Sequence, residues 1–247
     1  MQTNNIKNIC TDQTKFPILS PRLAKIAHMI PNSSTFADIG TDHGYVPIYL
    51  YRKGRLKKAF ACDIRKGPLE KCRQNIALYG AEAVIEPRLG SGLTPLAPGE
   101  AKTAIMAGMG GMLIVHILQE SPEVAESLEE LVLSPQRDFA AVRRYLHQIG
   151  FAIREEHMLK EEGKPYLLMR CEKGAERYTR EIEYLYGKLL LEQKEPILRE
   201  LLQHEAKKYE RLLQHLKQNP TENAIKRLPE AAQKLAWMKE ALECLQE

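Results

Sequence analysis

Between residues 36 and 171, apolar β-rich runs alternate with helical patterns, and few folds accommodate that order. The strand candidates are 36–39, 58–64, 83–89, 103–107, 131–133, 152–159 and 165–171. Helical patterns at 45–52, 68–79, 111–119 and 139–149 lie between most of them. Strands that alternate with helices build a parallel, doubly wound α/β sheet, because each crossover helix must pack back on a face. No helical pattern separates the last two runs. "EEGK" between them reads as a turn, so they form an antiparallel hairpin at the end of the sheet. A further helix precedes the first strand in "LSPRLAKIAHMIP", with Ser20 as N-cap, Pro21 at the first helical position and Pro31 as stop.

The texture changes near Gly174. Gly187 is the last glycine, and Leu, Glu, Lys and Gln take over at helical spacing. Pro196 and Pro220 punctuate this stretch, and Pro229 is read as opening a final helix. The expected organisation is a leader over 1–15, an α/β domain over 16–173 and a helical, coiled-coil-like domain over 174–247. No apolar run reaches the ~20 residues of a membrane span, and "MQTNNIKNICTDQTKF" has no apolar h-region, so a cytoplasmic protein is expected. The five cysteines are odd in number, widely spaced and without a C-x-x-C, which argues for reduced thiols and against disulfides or a zinc site.

Net charge is +4, and its distribution says more than its size. Residues 174–247 carry 13 basic and 13 acidic side chains, so the excess lies in the first part. Arg52 to Arg73 holds nine basic residues against two acidic ones. Such a cluster attracts phosphate, although a solvated helix face reads the same way.

The chemistry-bearing residues stand where the strand candidates end. In open α/β sheets ligands bind beyond the carboxyl ends of the strands, at the switch point. The first strand exits into "ADIGTDHGY", with Asp38, Gly40, Asp42, His43, Gly44 and Tyr45 in one turn. Its glycines let backbone approach a ligand, but the spacing is G-x-x-x-G, not the G-x-G-x-x-G of pyrophosphate sites. Asp42 would repel pyrophosphate. It suits a cationic ligand, and S-adenosylmethionine carries a sulfonium and an α-ammonium. The second strand ends at Asp63, placed to accept both ribose hydroxyls of an adenosine; a helix N-cap is the plain alternative. The third ends in Gly90, Ser91, Gly92 and Leu93, which can flank an adenine. The fourth ends in Ala107, Gly108, Met109, Gly110 and Gly111, where many methyltransferases that modify exocyclic amines place an Asp/Asn-Pro-Pro-aromatic motif. Glycines in that place suit close backbone approach by a flat base, with Met109 as an apolar wall.

The stretches "LSPRLAKIA", "ADIGTDHGYVPIYL", "ACDIRKGPLEKCRQNI", "RLGSGL", "IMAGMGGMLI", "LVLSPQRDFAAVRRYLHQIGFAI" and "GKPYLLM" resemble the bacterial tRNA (adenine-22, N1)-methyltransferases, the TrmK family. The likeness runs from about Leu19 to the end. The sequence departs from it at Leu133-Ser-Pro-Gln136, where the family tends to Leu-Gln-Pro-Asn. The resemblance implies a Rossmann-like class I methyltransferase domain that takes a methyl group from S-adenosylmethionine to N1 of adenine 22 in the D-arm of tRNA. Asp42, Tyr45, Met109 and Gly110 then line the reacting centre, Asp42 facing either the methylated ring or the cofactor ammonium. The turns holding Asp38, Gly40, His43, Gly44, Asp63, Gly90, Ser91, Gly92, Leu93, Ala107 and Gly108 bind the cofactor. His43 is more a structural hydrogen-bonder than a base. The inward-facing adenine must be opened or flipped. Phosphate grip falls to Arg52, Lys53, Arg55, Lys57, Lys58 and Arg65, with Arg137, Arg143, Arg144, Lys164 and Tyr166. Lys207 and Lys208 are candidate tail contacts. No obligate protein partner is expected. An S-adenosylmethionine enzyme acting on another RNA, a small molecule or a protein, and a non-catalytic RNA-binding protein, are the competing readings.

Overall fold

The computed structural model describes residues 16–32 and 34–246, so the leader at 1–15, with Cys10, lies outside the described residues. Seven strands form one sheet there: β1 (Ser34–Ile39), β2 (Leu56–Asp63), β3 (Ile85–Leu89), β4 (Thr103–Met109), β5 (Glu130–Pro135), β6 (Phe151–Glu161) and β7 (Lys164–Lys173). Their spatial order is β3-β2-β1-β4-β5-β7-β6. β7 runs antiparallel to both neighbours, and the other pairings are parallel. The chain steps outward from β1 to β3, then returns to β4 on the other side of β1. That reversal makes a switch point between β1 and β4.

Both faces are covered, which is why the inner strands read as continuous apolar runs. The pleat sends Phe36, Ile105 and Val132 to one face, against α1 (Pro21–Met29), α2 (Tyr45–Arg52) and α3 (Lys66–Leu78). It sends Ala37, Ile39, Met106 and Leu133 to the other, against α4 (Gly111–Glu120), the short α5 (Pro122–Ser127) and α6 (Phe139–Gln148). Ser20 caps α1 as expected, its Oγ accepting from the Leu23 N–H at 3.4 Å. The turn joining β6 to β7 is Glu162-Gly163, both at positive φ, the geometry of a type I′ hairpin. α5 was not anticipated in the sequence.

After β7 come a π-helical turn (Glu183–Gly187), α7 (Lys188–Glu192), α8 (Pro196–Gln218) and α9 (Glu222–Gln246). The last two are antiparallel, tied by Lys239 Nζ to Glu210 Oε1 at 2.9 Å and by Arg199 to the Leu245 carbonyl. Pro229 does not open the final helix; it lies inside α9. Its ring removes the bond to the carbonyl of Ile225, and that residue is exposed, so water can take the acceptor. The proximal tail is not a free appendage. Tyr178, Ile182, Leu190, Leu198 and Leu245 join the core cluster that holds Leu146 of α6 and Phe151 of β6.

Arg143 is part of that junction and is not available to phosphate. It is 1% exposed, ion-paired at 2.8 Å to a fully buried Glu156, and donates to the Tyr184 carbonyl at 2.8 Å. Cys62, Cys72 and Cys171 are buried free thiols, and burial pushes the first two up to about 12. Among the described residues, no helix is long and apolar enough to cross a membrane.

Candidate active site

The turn after β1 is held from below. Gly40 and Thr41 donate their N–H groups to the Cys62 carbonyl at 2.8 and 3.0 Å, drawing the β1 and β2 exits together. Gly40, His43 and Gly44 all adopt positive φ. At Gly44 a Cβ would stand 2.6 Å from Cys72 Sγ, so glycine is needed for the approach to α3 as well as for the turn. Thr41 Oγ1 donates to Asp38 Oδ2 at 2.7 Å. Burial pushes the Asp38 carboxyl up to about 6, against the pull of that hydrogen bond and with the Asp63 charge adding to the rise. His43 stacks on Tyr45 with ring centres 5.4 Å apart, and its Nε2 lies 3.3 Å from Asp42 Oδ1. The Asn75 side chain donates to the His43 carbonyl at 2.9 Å, fixing the crest of the turn.

Two cavities open at this edge and share Gly40 and Ala107. The first, about 400 Å³, is walled by Asp63, Gly90, Ser91, Gly92, Gly108 and Met109. Asp63 is 4% exposed, and its Oδ1 accepts from the Arg65 N–H at 2.7 Å; no bond occupies Oδ2 among the described residues. A carboxylate at the end of β2 facing a cavity with backbone turns on either side can take a ribose diol and a flat heterocycle. The second cavity, about 280 Å³, is lined by Asp38, Asp42, His43 and Tyr45. Its two carboxylates suit a cationic group.

The exits of β4 and β5 are stitched beside these cavities. Gln136 N–H donates to the Met109 carbonyl at 2.9 Å, and Gly111 N–H to the Arg137 carbonyl at 3.1 Å. A Cβ on Gly111 would lie 2.4 Å from that carbonyl, so the approach demands glycine. The Arg137 guanidinium, largely exposed, lies over Gly110. Met109 reaches across toward Gly40, its Cε 3.2 Å from where a Cβ would be. A third hollow, about 280 Å³, is lined by Gln136, Lys164, Pro165 and Tyr166, so the β6–β7 hairpin contributes to this edge.

Several expected site residues stand elsewhere. Leu93 is fully buried in the core and is not a wall of the cofactor cavity. Ser134 is also fully buried, its hydroxyl without a partner among the described residues. Arg55 is occupied, donating to Asn32 and to the Ile30 carbonyl. Lys58 pairs with Glu86 at 3.1 Å. Arg52, Lys53, Arg55, Lys57 and Lys58 follow α2 and begin β2, at the edge of the sheet opposite Asp63. At ~3.3 Å per residue the six steps from Lys57 to Asp63 span about 20 Å, so this cluster and the cleft are two places. Arg65, by contrast, stands on the cavity rim, largely exposed.

The cavities also recruit residues not singled out in the sequence. Leu113, His116, Ile117 and Glu120 line the first from one face of α4. Their i, i+3, i+4, i+7 spacing is the periodicity signal that marks such a face. Ile64, 66% exposed, stands beside Asp63 at the mouth. Arg22 of α1 also lines the second cavity, where no local signal pointed.

A family model described as a methyltransferase domain matches residues 19–169. The tRNA (adenine(22)-N(1))-methyltransferase of Bacillus subtilis (strain 168) is 32% identical over 238 residues, covering 91% of this chain and 97% of that protein. The crystal structure of the B. subtilis m1A22 tRNA methyltransferase TrmK superposes with a TM-score of 0.83 at 30% identity, over 91% of this chain and 99% of that one. Streptococcus pneumoniae Sp1610 in complex with S-adenosyl-L-methionine gives a TM-score of 0.81 at 29% identity, over 91% of this chain and all of that one. With a doubly wound sheet, a carboxylate at the end of β2 and glycine turns beside two adjacent cavities, the chain belongs to the tRNA (adenine(22)-N(1))-methyltransferase family.

Proposed function

We propose that this protein transfers the methyl group of S-adenosylmethionine to N1 of adenine 22 in tRNA. The observation that carries this is the pair of adjacent cavities at the switch point, one suited to a nucleoside and one to a cation, beside a turn made of glycines. Asp63 would hold the ribose hydroxyls, while Gly90, Ser91 and Gly92 flank the adenine of the cofactor. Asp38 and Asp42 face its cationic end.

S-adenosylmethionine supplies an electrophilic methyl that adenine N1, with an in-plane lone pair and no proton, takes by in-line displacement. The protein therefore has no base to provide before the transfer. Its task is orientation, which supplies most of the acceleration in such a reaction. Met109 forms an apolar wall, and Tyr45, braced by His43, offers an aromatic face; a flat base at Gly110 would need the exposed Arg137 side chain, which lies over it, to swing aside. Methylation makes the adenine ring cationic. Asp42, exposed at the mouth, would stabilise that charge where it does not hold the cofactor ammonium. The turn offers no side-chain acceptor for an exocyclic amine, which favours a ring nitrogen as target.

Arg65, Arg137 and Lys164 surround the cleft and would grip phosphates next to the opened base. The cluster at Arg52, Lys53 and Lys57 would meet the RNA body farther away. Residues 16–173 would carry the transfer, and the helical region over 174–247 would support the RNA body. A tRNA substrate would put the protein in the cytoplasm. The test is transfer of labelled methyl to unmodified tRNA. Nucleoside analysis should return 1-methyladenosine, and a tRNA with guanosine at position 22 should accept none. Label in N6-methyladenosine, in a ribose methyl, or in free nucleosides as readily as in tRNA would overturn the assignment.

A further inference from the structure

Gly110 and Gly111 stand side by side at the start of α4, and different things bear on each. At Gly111 a Cβ would meet the Arg137 carbonyl at 2.4 Å, so the fold needs that glycine. At Gly110 the backbone stands at φ −66° and ψ 147°, values that any residue adopts. The nearest atoms that a Cβ there would meet all belong to the Arg137 guanidinium, Nε at 3.2 Å, Nη2 at 3.6 Å and Cζ at 3.8 Å. The room above Gly110 is therefore closed on this side by the movable end of a side chain.

The backbone at Arg137 is pinned. Its carbonyl accepts from the Gly111 N–H at 3.1 Å, and the preceding residue, Gln136, donates its N–H to the Met109 carbonyl at 2.9 Å. Asp138 follows at φ +58°, an uncommon conformation for a residue with a side chain, and the chain turns there into α6. The head of Arg137 is not pinned. The side chain is 79% exposed, and its ion-pair partner, Asp138 Oδ2, is 3.6 Å from Nε, beyond hydrogen-bond reach. Gln136 also lines the hollow that holds Lys164, so a second cationic side chain stands beside the same turn.

We propose that Arg137 is a specificity-determining residue: its guanidinium fills the base slot over Gly110 in the free enzyme, and a phosphate next to the opened nucleotide draws it out. The proposal rests on the adenine reading above and deepens it. A guanidinium and an adenine are both planar, and they cannot share the slot. Methylation also gives the ring a positive charge, so a guanidinium left against it would oppose the transfer. A phosphate offers two oxygens to the fork of N–H donors, a better partner than a carboxylate out of reach. A free nucleoside must displace the arginine unaided, whereas a nucleotide within an RNA brings the group that displaces it.

Single-turnover methyl transfer tests this on two tRNAs, one natural and one with neutral methylphosphonates in place of the phosphates that flank nucleotide 22. The parent should lose about tenfold or more on the neutral substrate, the value of a charge-assisted bond. Arg137→Ala should be slower than the parent on the natural tRNA. On the neutral one it should be about two- to fivefold faster, because the exposed contact that closes the slot is gone. The order of the two enzymes therefore reverses between substrates. Equal rates of parent and Arg137→Ala on the neutral tRNA would make Arg137 a phosphate ligand and nothing more. Equal loss by Arg137→Ala on both tRNAs would make it a support for the base or the turn. Either result ends the proposal. Calorimetry with S-adenosylmethionine should give the same affinity for both enzymes, which shows the variant folded; a changed affinity would place Arg137 in the cofactor site and overturn the proposal too. Failure of the adenine reading would show separately, as label outside 1-methyladenosine with either enzyme on either tRNA.

Discussion

Asp38 has the most informative titration in the cleft. Its carboxyl rises to about 6 in the folded protein because burial disfavours the charged form. The folded chain thus keeps a proton that the unfolded chain has released, and stability falls as pH rises from the ordinary carboxylate range, ~3.9, through about 6. A cationic ligand beside Asp38 favours the ionised form. Cofactor binding at pH 5.5 should therefore release protons, and affinity should weaken as pH falls below 6 and level off above it. Calorimetry in buffers of different ionisation enthalpy reads the release directly; Asp38→Asn should abolish it, and an unchanged release would remove Asp38 from the ammonium. Asp63 acts at the other end of the ligand. Asp63→Ala should weaken S-adenosylmethionine by about 1.5–3 kcal/mol, since a charged acceptor for the ribose hydroxyls is lost. Unchanged affinity would mean that Asp63 serves only the turn, through its bond to the Arg65 N–H.

At the level of elements, the junction between α6, β6 and the π-helical turn joins the tail to the sheet. Arg143 gives one bond to Glu156 at 2.8 Å and others to the Tyr184 and Leu185 carbonyls. Gly187, at φ +95°, lets the turn pass; a Cβ there would lie 2.6 Å from Glu156 Oε2. Removing one partner strands a buried charge. Arg143→Ala should cost about 3–5 kcal/mol in urea unfolding, whereas Arg143→Met with Glu156→Leu should recover most of that. Equal loss in the single and double variants would show that packing, not the stranded carboxylate, carries the effect. Arg143 reads along the chain as a phosphate candidate together with Arg137, Arg144 and Lys164. Helix periodicity separates neighbours by about 100°, and the buried partner, Glu156, lies 13 residues away in β6.

Across the whole molecule, basic residues divide between the two ends of the strands. Arg137 and Lys164 stand by the cleft, while Arg52, Lys53 and Lys57 stand at the opposite edge. Charge reversal of Arg137 and Lys164 should lower methyl transfer and reduce the salt slope of tRNA binding by about 1–2. Reversal of Arg52, Lys53 and Lys57 should weaken binding with little effect on the rate at saturating tRNA. Binding measured across a salt series, with single-turnover rates, separates the two. If the distant set alone changes the slope, the phosphate grip lies away from the cleft.

The order of the strands and of the crossover helices other than α5, the capping of α1 and the strand-end positions of Asp38, Asp63 and the glycine turns were legible along the chain. Each depends on local rules: pleat and helix periods, turn chemistry, and the direction in which a parallel strand delivers its carboxyl end. What depended on contacts between distant segments was not. The insertion of β7 between β5 and β6, the burial of Leu93 and Arg143, and the continuous helix through Pro229 follow from neighbours brought close only by the folded sheet. Arg22 is the clearest case. It lies in α1, one strand ahead of the turn after β1, and it meets Asp38 and Asp42 at one cavity and Glu161 of β6 only in the folded chain. A charge read along the chain has no partner until the fold supplies one.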